Sequence, residues 1–81
     1  MDINEATAKA LQAAKAVSGM TFEELSEKAG VPIQTLFRMT KGSRDIKIPT
    51  LAAVAGAMGL TVVDIMQDAE RIMERSNPDG D

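Results

Sequence analysis

Apolar residues recur at helical spacing from end to end of the chain, interrupted at glycines, and the pattern divides it into five predicted helices. The clearest segment is Thr21 to Lys41, TFEELSEKAGVPIQTLFRMTK. Thr21 followed three residues later by Glu24 is a capping box, so a helix starts near Phe22. Gly30 follows Ala29 where a left-handed residue ends a helix, and Val31 before a proline is pushed toward extended geometry. Pro32 is pre-set for the first position of the next helix, which therefore begins within two residues of the turn. Leu25, Ala29, Val31, Leu36 and Met39 then fall on the inner sides of the pair and share one core. Around this segment, helix 1 is predicted from Ile3 to Val17, with Asp2 as cap, Glu5 as its reciprocal partner, and an end near Gly19. Lys41 to Asp45 reads as an exposed loop. Helix 4 is predicted from Ile48-Pro49 to Met58, apolar on nearly every side as a central buried helix is, with Gly59 as terminator. Thr61 and Asp64 form a second capping-box-like pair, so helix 5 starts at Val62 and continues to Arg75.

Two short helices joined by a tight glycine turn resemble a helix-turn-helix. The wider pattern resembles the Cro and phage-repressor type (Xre-like) of helix-turn-helix protein, from about Leu11 to Met66. Leu11, Ala14, Gly19 and Thr21 lead into the motif; Leu25, Gly30, Val31, Leu36 and Lys41-Gly42 lie within or just after it. Thr50-Leu51, Ala55, Met58-Gly59-Leu60 and Asp64 follow. The resemblance implies an all-α, compact five-helix domain of the lambda-repressor-like DNA-binding type, helices 2 and 3 forming the helix-turn-helix. It also implies a cytoplasmic protein of a bacterial cell or phage-infected host, binding double-stranded DNA as a homodimer on a palindromic operator.

Length limits the chain of 81 residues to one domain, expected over residues 1–75, with residues 76–81 a disordered tail or linker. Only Phe22 and Phe37 are aromatic, so aliphatic residues, alanines and six methionines must fill the interior. With neither cysteine nor histidine there is no disulfide, no thiolate and no usual general base or metal ligand, and an enzyme, a metal site or a bound cofactor is not expected. The longest apolar run, Leu51 to Leu60, is ten residues, about half a membrane span. No secretory signal is visible, and a soluble cytoplasmic protein is the expectation.

Charge changes the picture by where it sits. The chain as a whole carries a net charge of −3, at odds with a nucleic-acid partner. Yet Lys28, Arg38, Lys41, Arg44 and Lys47 against Asp45 alone make residues 28–47 locally cationic, while both flanks are acidic. One face meeting phosphate while the others repel it has this asymmetry; an ordinary solvated face is the alternative. If Leu36 and Met39 point inward, Ile33, Gln34, Phe37, Arg38 and Lys41 point outward. Gln34 can bond an adenine edge twice and Arg38 a guanine, and with Ile33 and Phe37 they are the expected base-contacting set. Thr21, Phe22, Thr35, Lys41, Ser43, Arg44 and Lys47 are the expected phosphate contacts, which position without reading sequence.

Several positions depart from the family. Glutamine is common where Phe22 opens helix 2, and a polar residue where Ile33 stands; here an apolar contact between the two replaces a polar bridge and leaves part of Ile33 for a thymine methyl. Phe37 is likewise apolar at an outward position, which suits either DNA or a protein surface. The family's arginine in helix 1 and glutamate after helix 3 are Lys15 and Thr40, so that ion pair is absent. On helix 5, Val62, Ile65, Met66, Ala69, Ile72 and Met73 form a stripe that either packs wholly within one chain or provides a two-fold dimer or partner interface. The leading reading is a sequence-specific transcriptional regulator, a dimeric repressor of phage or prophage type. The alternative is a protein-interaction module on the same fold, an antitoxin-like or bridging subunit.

Overall fold

The computed structural model describes residues 1–42 and 46–76, and among these every regular element is a helix. They are α1 (Ile3–Ser18), α2 (Phe22–Ala29), α3 (Ile33–Thr40), α4 (Ile48–Ala57) and α5 (Val62–Ser76). None of them is long and apolar enough by itself to cross a membrane.

Local signals account for most boundaries. Asp2 caps α1 by accepting from the Glu5 N–H at 2.9 Å, but Glu5 does not return the bond, so half of the expected reciprocal pair forms. Both Thr21–Glu24 and Thr61–Asp64 form in full, each backbone N–H and side chain paired with the other at 2.9–3.1 Å. Gly19, Gly30 and Gly59 all carry positive φ where the sequence calls for helix ends. Helix 3 starts one residue later than expected. Pro32 keeps an extended ψ of 140° and stands as N-cap, its carbonyl accepting from the N–H groups of Thr35 and Leu36. At the other end of the chain, Ser76 closes the last turn of α5, bonding its hydroxyl to the Ile72 carbonyl at 2.8 Å, and so lies in the helix instead of the expected tail. Residues 77–81 fall outside the described part.

The core joins all five helices. Leu36, Leu51, Val54 and Ile65 are its largest fully enclosed side chains, with Leu11, Leu25 and Met39 around them. Ala6, Ala10, Ala55 and Ala69 are also buried. The small side chains of Ala6, Ala10 and Ala69 let α1 pack along α5, the most extensive helix pairing among the described residues. Helix α4 is less enclosed than its composition suggests. Leu51, Val54, Ala55 and Ala57 are buried against α2 and α5, while Ala52 and Gly56 face outward. Ala52 and Gly56 leave little apolar area in water, but Ile48 at the start of α4 is 62 % exposed. Thr7 is the one buried polar side chain among the described residues; its hydroxyl donates to the Ile3 carbonyl at 2.7 Å.

A candidate nucleic-acid interface on α3

The turn between α2 and α3 is fixed by Ser26. Its carbonyl accepts from the N–H groups of both Gly30 and Val31, at 2.9 and 3.1 Å, and its hydroxyl donates to the Val31 carbonyl at 2.6 Å. Gly30, at φ 69°, makes the reversal, and Val31 is buried beneath it. With Leu25, Leu36 and Met39 also buried, the two helices are locked to one core in one relative orientation. Ala29 is only half-buried.

The outer face of α3 follows from that inner one. Gln34, Phe37, Arg38 and Lys41 are exposed; Ile33 and Thr35 are half-buried at its margins. Among the described residues the one salt bridge is Arg71–Asp68 on α5, so Arg38, Lys41 and Lys47 have no carboxylate within 4.0 Å there. Lys47 is the exposed N-cap of α4; Pro49 in the first turn has no N–H, so the amides of Ile48 and Thr50 are the ones without a side-chain cap there among the described residues. Ser43 and Arg44, expected on phosphate, lie outside the described residues.

Phe22 and Phe37 pack on each other. The ring centroids are 4.8 Å apart with planes at 69°, an edge-to-face contact. Phe22 thus has a partner beyond the expected Ile33, in the ring of Phe37 one turn further along α3. On Phe22 also sits the Lys15 ammonium, 4.3 Å from the ring centroid. Three elements, α1, α2 and α3, thereby converge on one aromatic side chain. What Phe22 can still offer a phosphate is its backbone N–H, which as the first of the helix has no intrahelical acceptor.

Helix α1 holds α3 at a second point. Gln12 donates from Nε2 to the Thr40 carbonyl, at the C-terminal end of α3. Gln12 and Lys15 are three apart and share a face of α1, from which each reaches the helix-turn-helix. Neither is a candidate from the sequence. Their signal is spatial, since nothing in local spacing says which side chains meet across helices.

At the start of α2 the Glu24 carboxyl is held below its ordinary range. The cause is the hydrogen bond from the Thr21 backbone N–H, reinforced by the Thr21 hydroxyl. The Thr21 hydroxyl accepts from the Glu24 N–H at 3.1 Å and lies beside that carboxylate.

The helix 5 stripe divides by burial. Ile65 and Ala69 are fully enclosed within the single chain and have no area to offer a partner. They are core, because α1 lies directly across them. Val62, Met66, Ile72 and Met73 are half-buried at the margin of that core, and Val63, outside the stripe, is 63 % exposed.

Comparison with known proteins agrees with this geometry. The helix-turn-helix family model HTH_3 matches residues 18–65. Among solved structures, a crystal structure of the clp gene regulator ClgR from Corynebacterium glutamicum is 28 % identical, with a TM-score of 0.89 over 99 % of this chain and 85 % of that one. A second ClgR structure from the same organism is 30 % identical, with a TM-score of 0.80 over 86 % of this chain and 90 % of that one. No curated protein sequence matches significantly. With a family match running from the end of α1 into α5, and the backbone of a known regulator, this chain belongs to the helix-turn-helix family.

Proposed function

We propose that residues 1–75 act as one cytoplasmic DNA-binding unit, a sequence-specific transcriptional regulator that lays α3 in the major groove. The observation that carries this reading is the outer face of α3, where Gln34, Arg38 and Lys41 stand exposed, on a turn held by the Ser26 hydrogen bonds. Gln34 pairs with an adenine edge and Arg38 with a guanine, while Ile33 and Phe37 supply apolar contact. Lys41, Lys47, Thr35, the Thr21 hydroxyl and the N–H of Phe22 meet phosphates on either side of the groove, as do Ser43 and Arg44. The open amides of α4 add an uncharged phosphate contact.

The fit to the Cro and phage-repressor pattern supports a repressor, of phage or prophage type, that acts by occupying an operator. Such domains bind as two-fold pairs on half-sites about one helical turn apart. The half-buried margin of Val62, Met66, Ile72 and Met73 is the surface that supports a dimer here. The same margin, with Phe37, favours the second reading of a protein-binding module on this fold.

Selection from a random duplex pool separates these readings. The regulator reading predicts an enriched palindrome, with Arg38→Ala relaxing preference at one base pair by roughly 1–3 kcal/mol and Lys41→Ala weakening all sequences alike. A single enriched half-site would remove the dimer, and a pool that never enriches would remove the regulator.

A further inference from the structure

We infer that Phe37 reads the 5-methyl group of a pyrimidine, so that the protein distinguishes a methylated from an unmethylated major-groove edge at one position of each half-site. The inference rests on α3 being the groove-facing helix. Phe37 lies between the two polar readers, three residues after Gln34 and one before Arg38, and remains 37 % exposed. The rest of its surface is taken up by packing, and the edge-to-face contact with Phe22 at 4.8 Å fixes where the free edge points. Phe22 is held in turn, because Lys15 sits 4.3 Å over its ring. A ring immobilised in this way loses little freedom on binding and cannot turn aside to admit water. It offers neither donor nor acceptor, so the only major-groove group that it recognises favourably is the methyl carbon on C5 of thymine or 5-methylcytosine. Cations flanking it at Arg38 and Lys41 favour a nucleic-acid occupant over an apolar protein surface.

The test replaces each thymine of the selected duplex by deoxyuridine in turn, which removes one methyl and alters no hydrogen-bonding group. Binding should weaken about fourfold at one position per half-site, the effect of burying one methyl-sized group. In Phe37→Ser that penalty should vanish, while in Ile33→Ala it should persist. Phe22→Leu, which leaves Phe37 in place but unsupported, should reduce it. A uridine scan that is flat for the wild type, or a penalty that survives in Phe37→Ser, overturns the assignment while leaving duplex binding itself intact. Loss of all duplex binding by the wild type would instead overturn the regulator reading and this inference with it. Circular dichroism of Phe37→Ser checks that the helices are retained.

Discussion

Glu24 shows how a single side chain ties the motif's start to solution conditions. Its carboxyl is held below the ordinary value of 4.5 by the Thr21 backbone and hydroxyl, so the folded state favours the charged form. A depressed carboxyl contributes stability that is present above its unfolded value and lost as acid protonates it in the fold. The capping box should therefore stabilise α2 fully at neutral pH and fade below about pH 4.5. Glu24→Gln keeps an acceptor but not the charge. The melting temperature of wild type should exceed that of Glu24→Gln at pH 7, and the gap should close as pH falls through the carboxylate range; a gap independent of pH would assign the box no charge-dependent part. Phe22 is the other residue on which much depends, since it receives Lys15 on its face and the edge of an aromatic pair. A leucine there removes both interactions at once.

At the scale of elements, the α2–α3 turn is where geometry is least negotiable. Gly30 sits at φ 69°, and the methyl of an alanine there would meet nothing within 4 Å, so Gly30→Ala suffers from backbone strain alone. The expected loss is about 1–2 kcal/mol, read as a lower denaturant midpoint with an unchanged slope. An unchanged midpoint would mean that the turn relaxes to another conformation. This turn is legible in the sequence because its signals are local: a capping box, a glycine and a proline within a dozen residues. The starts and ends of α1, α2 and α5 are legible for the same reason, to within a residue. Contacts between helices are not. Spacing places Phe37 at an outward position, but that its ring meets Phe22 depends on how α2 and α3 pack, and that Lys15 lies over Phe22 and Gln12 reaches the end of α3 depends on how α1 crosses the motif. Burial on α5 is half legible. The stripe marks an apolar face, while α1 decides that Ile65 and Ala69 are enclosed and Val62 and Met73 remain at the edge.

For the whole molecule the decisive property is the separation of charge. An acidic chain of net −3 exposes Arg38 and Lys41 at α3 and Lys47 at the start of α4, while exposed carboxylates lie on other elements, Glu23, Glu24 and Glu27 on α2 and Glu70 and Glu74 on α5. On the proposed reading, this arrangement attracts a duplex to the side of α3 and orients encounter before any base is read. The core fixes α3 against α1 and α2, so that the outer face proposed to read DNA is set in advance. The most direct test is to titrate the isotope-labelled protein with its selected duplex and follow the backbone amide resonances. The largest changes are expected at Gln34, Phe37, Arg38, Lys41 and Lys47, with those of Ile65 and Ala69 nearly still. Changes that leave Gln34, Phe37 and Arg38 unmoved while those of α5 shift would contradict this expectation.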